Sequence, residues 1–214
     1  MRVQWPFLLL SLVFLLPPMP LSGALHKYVM SARRNPSASV PALFRCWQNW
    51  ADLIRAGAGV YLLMEYAIQV DRQVKGAGMK ALLLEGTVLA AALLFQLARI
   101  GPGLQLVAPI FYLCGLTLVL AGYVPGGFAV FVGWMFAIGG KRPAYQLPTM
   151  GVALGLSGYI LSGPIFLLLL NCVLIFGPLL LSFLFQKPLA FVAGEWHSPA
   201  PESGATSSSG AKVS

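Results

Sequence analysis

The sequence predicts an all-α protein whose helices cross a membrane several times. Hydrophobic residues make up 58% of the 214 residues, charged residues only 9%, and the mean hydropathy is +0.79. A soluble domain usually has about 25% charged residues, so this chain has too few to cover a water-exposed surface. Several apolar runs approach the ~20 residues that a helix needs to cross a bilayer. We predict one helical membrane domain over residues 43–186, with about six crossing helices after residue 50.

The N-terminal hydrophobic segment, residues 1–24, has two interpretations. Arg2 precedes an apolar run over residues 7–16, and Pro17 and Pro18 follow it. A cleaved signal peptide has this layout, but so does a retained anchor whose helix ends at the prolines. Cleavage would leave the bases of the connector, residues 25–42, on the outer face, against the positive-inside rule. We therefore favour the retained anchor.

The first span of the membrane domain, residues 51–71, is amphipathic. Asp52 and Arg55 lie on a polar stripe with a helical 4–3 spacing, and Glu65 flanks that stripe. Such a helix either lies in the plane of the interface or crosses with its polar stripe toward other helices. Between residues 56 and 67 only Glu65 interrupts the apolar sequence, which favours crossing.

The next span, residues 79–100, has a matching polar stripe. Glu85, Gln96 and Arg99 follow a helical period along it. Further spans are predicted over residues 104–123, 128–140, 147–162 and 165–186, with a turn at residues 124–127. Residues 187–214 are predicted to be a disordered polar tail, because the sequence after 197 is rich in Ser, Ala, Gly and Pro.

The two polar stripes predict an intramembrane polar site. If the spans form an antiparallel hairpin, Asp52 falls level with Arg99, and Arg55 falls level with Gln96. Deeper in the membrane, Glu65 falls level with Glu85. Two carboxylates at one depth cannot both stay ionised without a cation, which would suit a proton relay or a cation site. The alternative is that each carboxyl is protonated and bonds a neighbouring helix. No metal-ligand or cofactor motif is present, so we predict neither.

Small residues form two stripes that predict close helix packing. One stripe includes Gly133 and Ala137, and the other includes Gly151, Gly155 and Gly158. Such faces let helix backbones approach closely in a membrane. We expect contacts within the chain, with homo-oligomerisation as the alternative.

The basic residues predict the orientation and argue against nucleic acid. The bases lie mostly between the apolar spans, where the positive-inside rule puts them, and they do not alternate with aromatics as on a strand-binding surface. The predicted crossings put nine bases on one side and three on the other, so we predict a cytoplasmic C-terminus. The nine are Lys27, Arg33, Arg34, Arg45, Arg55, Arg99, Lys141, Arg142 and Lys187, and the three are Arg72, Lys75 and Lys80.

The sequence favours a non-enzymatic membrane component. Residues 155–158 match the GxSG pattern of rhomboid-type intramembrane proteases, but both histidines, His26 and His197, lie outside the predicted spans, so the serine lacks a base. The first hypothesis is a component that assembles in the bilayer, with itself or a membrane partner, through polar and small-residue helix faces. The alternative is a small proton- or cation-coupled transporter or channel that uses Glu65 and Glu85.

Overall fold

The protein is helical, with five short strands at the two ends of the helices. The computed structural model describes residues 2–16, 34–35, 40–69, 77–97, 106–161, 165–186 and 189–192. The α-helices are α1 (Trp5–Leu15), α2 (Val40–Arg45), α3 (Trp47–Leu62), α4 (Ala77–Leu97), α5 (Ile110–Leu120), α6 (Tyr123–Gly139), α7 (Gln146–Ile160) and α8 (Ile165–Leu184). A π-helical turn, Leu63–Ala67, continues α3, and a 3-10 turn, Pro143–Tyr145, precedes α7. The all-α prediction is confirmed, because every longer element is a helix.

The strands form two small sheets. β1 (Arg2–Val3) pairs antiparallel with β3 (Ile68–Gln69). The second sheet has the order β2 (Arg34–Asn35), β5 (Leu189–Val192), β4 (Leu106–Val107), with β5 antiparallel to β2 and parallel to β4. The central strand of this sheet, β5, therefore lies within the range 187–214 that the sequence predicts to be a tail.

The helices run alternately in opposite directions around the short helix α5. Residues from Ile110 to Thr117 of α5 are all buried. α5 packs on α3, α6 and α8, while α4 packs on α8 and on α1. Facing positions show that α3 and α5 are parallel, because Trp50 contacts Phe111 and Gly57 lies beside Gly115 further along both helices. The pairs α6 with α7 and α7 with α8 are antiparallel, because facing positions run in opposite directions, as at Gly151 beside Phe176 and Gly158 beside Leu168.

Two predicted helix boundaries are wrong. The predicted turn at residues 124–127 is the first part of α6, because Pro125 has no N–H to lose there and its fixed φ suits the first turn of a helix. The bend before α6 is at Gly122, whose φ of +83° favours glycine. The first predicted span also differs, since its α-helix ends at Leu62, a π turn follows, and Ile68 is already extended.

Backbones approach most closely where glycine faces another helix. At Gly115 of α5, a Cβ atom would collide with the carbonyl oxygen of Leu53 on α3. At Gly126 of α6, it would lie 2.6 Å from the carbonyl oxygen of Thr117 on α5. In both cases the added Cβ would meet backbone atoms of the neighbouring helix, so the collision could not be relieved by turning a side chain. Glycine at both positions therefore sets the distance between α5 and its neighbours.

The predicted small-residue stripes pack inside the chain, with one exception. Gly133 and the buried Ala137 lie on α6, and a Cβ at Gly133 would lie 3.0 Å from the Gln146 carbonyl oxygen of α7. A Cβ at Gly151 would meet the Phe176 ring of α8 at 2.6 Å, and one at Gly158 would collide with Leu168. A Cβ at Gly155 would have nothing within 4 Å, so the expectation for that residue is not met. Gly155 is turned about 60° around the helix from Gly158, away from α8.

Candidate functional site

The main polar site lies where the C-terminal end of α1 meets α3 and α4. The chain becomes extended at Leu16, and the next two residues are prolines without N–H groups. The last carbonyl groups of a helix have no partner within the helix and need donors from elsewhere. Arg55 of α3 donates from Nη1 to the carbonyl oxygen of Leu16. Gln96 of α4 donates from Nε2 to the carbonyl oxygen of Leu15, at 3.3 Å.

An ion pair completes this site, which we call the polar junction: Asp52, Arg55, Gln96 and the Leu15 and Leu16 carbonyl groups. Arg55 Nη2 lies 2.7 Å from Asp52 Oδ1, and the two side chains are 15% and 21% exposed. The guanidinium group thus connects a carboxylate of its own helix with the negative end of α1. A cation near the C-terminus of a helix is favoured by the helix dipole.

Both sides of the polar junction are closely packed. Gln96 is 2% exposed, Leu15 is fully buried, and a Cβ at Gly59 of α3 would lie 2.8 Å from Leu15 Cγ. Tyr112 of α5 is fully buried. Its hydroxyl has no hydrogen-bond partner in the described part of the chain.

The other end of α1 is fixed to the end of α3. β1 pairs with β3, and the Gln4 N–H donates to the Ala67 carbonyl oxygen at 2.9 Å. The rings of Phe7 and Tyr66 stack, with centroids 5.4 Å apart. α1 is therefore held along its whole length, antiparallel to α3.

The structure brings together part of the predicted polar site. Arg55 and Gln96 do converge, as the hairpin alignment predicts, but they meet on consecutive carbonyl groups of α1 rather than on each other. The hairpin alignment concerns α3 and α4 only, whereas the two prolines after Leu16 are the sequence signal that the last carbonyl groups of α1 need donors. Arg99, the predicted partner of Asp52, lies outside the described residues.

The two predicted carboxylates have different surroundings. Glu65 is exposed on the π turn, whereas Glu85 is 8% exposed on α4. Within the described ranges, Glu85 has no hydrogen bond or ion pair. Those ranges also contain no group of three or more His, Cys, Asp or Glu residues that could hold a metal ion. The two carboxyl groups therefore differ in burial, and a pairing between Glu65 and Glu85 remains a prediction.

Further buried polar groups join the helices of the core. Thr117 Oγ1 of α5 donates to Asn171 Oδ1 of α8 at 3.2 Å. Gln146 of α7 is fully buried, and its Nε2 lies 3.2 Å from Cys114 Sγ of α5. Each hydrogen bond inside a folded protein contributes about 0.5–1.5 kcal/mol to its stability. Gln146 lies just before the predicted span over residues 147–162 and belongs to no polar stripe, so the sequence gives no signal for this contact.

Comparison of the chain with protein-family profiles, with curated proteins and with solved structures gives no match.

Proposed function

We propose that the chain is a multi-pass integral membrane protein. The distribution of side chains supports this, because polar residues are buried while large apolar residues face outward. Gln96, Gln146 and Asn171 are buried, whereas Phe131 and Leu180 are more than 60% exposed. A soluble monomer rarely exposes an apolar patch larger than a few hundred Å². In a bilayer, the same outward faces contact lipid and need no water.

The lengths of two helices directly support the proposal that they cross a membrane. The ranges Gly78–Leu97 and Ile165–Leu184 are each 20 residues long and strongly apolar. A helix of that length extends about 30 Å, the thickness of the hydrocarbon core. The apolar helices α1, α5 and α6 are shorter. We propose that they cross together with the turns and extended residues that continue them.

We also propose that α1 is retained as part of the bundle and that its C-terminal end faces the cytoplasm. Removing α1 would expose Gly59 and leave Arg55 and Gln96 without the carbonyl groups to which they donate. The C-terminal end of α8 lies at the same end of the bundle, which agrees with the positive-inside orientation.

The function that this geometry supports best is that of a non-enzymatic membrane component. The observation that carries this proposal is the polar junction, since its charged and amide groups are used to hold three helices together. The small-residue stripes also pack within the chain, so we propose that assembly with a second copy or a membrane partner uses the outward apolar faces.

Alkaline carbonate extraction and native nanodiscs test this proposal. We expect the full chain to stay in the membrane pellet with its N-terminal residues intact, and to appear in nanodiscs in a species larger than one copy. Extraction into the supernatant would contradict membrane integration. A shortened N-terminus would contradict retention of α1, and a single copy at every concentration would contradict assembly.

Glu85 favours a second candidate function, proton or cation transport. A carboxyl group inside a membrane span is costly, and such residues often mark an ion pathway. Glu85 is buried on α4 within the range Gly78–Leu97 and has no partner among the described residues. Glu65, the residue predicted to share this site, is exposed, whereas Glu85 is buried.

We expect Glu85→Gln to remove any proton or cation flux in reconstituted vesicles by more than about tenfold, because glutamine keeps the shape but cannot ionise. Glu65→Gln is the matched control, since that carboxyl group is exposed, and it should leave the flux unchanged. Absence of flux in the wild-type vesicles, with all three proteins folded, would contradict transport and leave the component proposal.

A further inference from the structure

A cavity of about 470 Å³ lies between α2 and the C-terminal end of α6. Among the described residues, its lining is formed by the apolar side chains of Val40, Pro41 and Phe44 of α2 and of Ile138 of α6, together with Lys141. Pockets that bind small molecules typically have volumes of 300–1,000 Å³, apolar walls and a few polar groups. This cavity therefore has the size and the apolar lining of a site for an acyl chain, with a basic residue, Lys141, at its edge.

Lys141 has an unfavourable backbone conformation at the edge of this cavity. Its φ is +54°, and its N–H donates to the Ile138 carbonyl oxygen at 3.1 Å, while the N–H of Arg142 donates to the Ala137 carbonyl oxygen at 3.1 Å. These two bonds end α6 in a Schellman motif, whose left-handed residue is usually glycine. Gly140 cannot serve there, because it lies one residue earlier, where the ring of Tyr145 leaves no room for a Cβ. A lysine is thus held where glycine would be less strained.

The surroundings of the cavity are basic. Lys141, Arg142 and Arg45 are all exposed. Among the three acidic residues of the described chain, Asp52 is bonded to Arg55 in the polar junction, and Glu65 and Glu85 lie on other parts of the bundle. The basic groups therefore favour a ligand with a negative charge.

Aromatic side chains support the inner wall of the cavity. The ring centroids of Phe44 and Trp134 are 4.4 Å apart, and those of Phe44 and Phe111 are 5.7 Å apart. Trp50 Nε1 donates to the Phe44 carbonyl oxygen at 2.9 Å. Tryptophan is enriched at the level of lipid headgroups, which places the cavity at the membrane surface.

We propose that this cavity binds an anionic phospholipid, with the phosphate group at Lys141 and one acyl chain along Phe44 and Ile138. This inference rests on the proposed membrane location and adds to it a specific lipid class. Basic pockets between helices on the cytoplasmic side are typical sites for such headgroups.

The test is native mass spectrometry of the full chain in neutral detergent with added lipid. Phosphatidic acid, phosphatidylcholine with the same acyl chains, and glycerol phosphate without chains are compared. We expect phosphatidic acid to bind at least about fivefold more tightly than phosphatidylcholine, since one lysine near a membrane surface contributes about 1 kcal/mol. Equal binding of the two lipids would overturn the proposal. Binding of glycerol phosphate as tight as that of phosphatidic acid would assign the site to a free phosphate instead.

Variants locate the binding. Lys141→Asn removes the cation while keeping a residue that tolerates the left-handed conformation, and it should abolish the preference for phosphatidic acid. Lys80→Asn removes an exposed cation from α4 and should change nothing. Ile138→Trp should weaken the binding of both lipids, because the larger side chain would fill the cavity. An unchanged preference in Lys141→Asn would overturn the proposal. Carbonate extraction tests the membrane location separately. If the protein were extracted by carbonate but still preferred phosphatidic acid, the membrane location would be contradicted and the lipid site would not.

Discussion

Replacing Gly115 with alanine is expected to destabilise the protein severely, by about 3 kcal/mol or more. The added Cβ would collide with the backbone carbonyl oxygen of Leu53 and would also press on Ala56, so α5 and α3 would have to move apart. Overpacking a tight core usually costs about 1–3 kcal/mol, and a collision with backbone is at the upper end or beyond. The measurement is thermal unfolding in detergent, with the fraction of monodisperse protein recorded on a sizing column.

The same substitution at Gly155 is the matched control. Gly155 also lies inside a helix, but a Cβ there would meet nothing within 4 Å. Alanine has a higher helix propensity than glycine by about 0.8–1.0 kcal/mol, so Gly155→Ala should raise stability slightly. The two variants therefore differ in the sign of the effect. Equal stability of Gly115→Ala and wild type would contradict the close approach of α5 and α3.

The comparison of Gly155 with Gly158 shows what spacing can and cannot predict. Both fit a small-residue stripe in the sequence, and the helical period puts both on the same half of α7. The contact with α8 is narrower than that half, because the Leu168 side chain covers only Gly158. The width of a contact depends on the neighbouring helix, so the stripe alone could not separate the two glycines.

The polar junction was partly predictable for a related reason. The periodic stripes correctly placed Arg55 and Gln96 at the same level, because polar residues at helical spacing must share a face. Their acceptors could not be read from the sequence, since the Leu15 and Leu16 carbonyl groups are backbone atoms of an apolar helix. Composition was enough to predict a helical protein, whereas the place of α1 against α3 and α4 required the tertiary structure.

Replacing Arg55 with glutamine is expected to break the polar junction. The free energy of unfolding should fall by up to about 3–5 kcal/mol. The Asp52 carboxylate would lose its ion pair with Arg55, and the Leu16 carbonyl oxygen would lose the hydrogen bond from that side chain, while Asp52 stays only 21% exposed. Removing one partner of a buried pair is strongly destabilising, because the other charge remains in a low dielectric.

The double variant Asp52→Asn with Arg55→Gln removes both charges, and it should regain more than 1 kcal/mol of that loss. The measurement is unfolding in detergent for the single and double variants, together with proteolysis after Leu16 as a readout of α1 release. If Asp52→Asn failed to rescue Arg55→Gln, and α1 stayed protected in every variant, the ion pair would not be what holds α1 against the bundle.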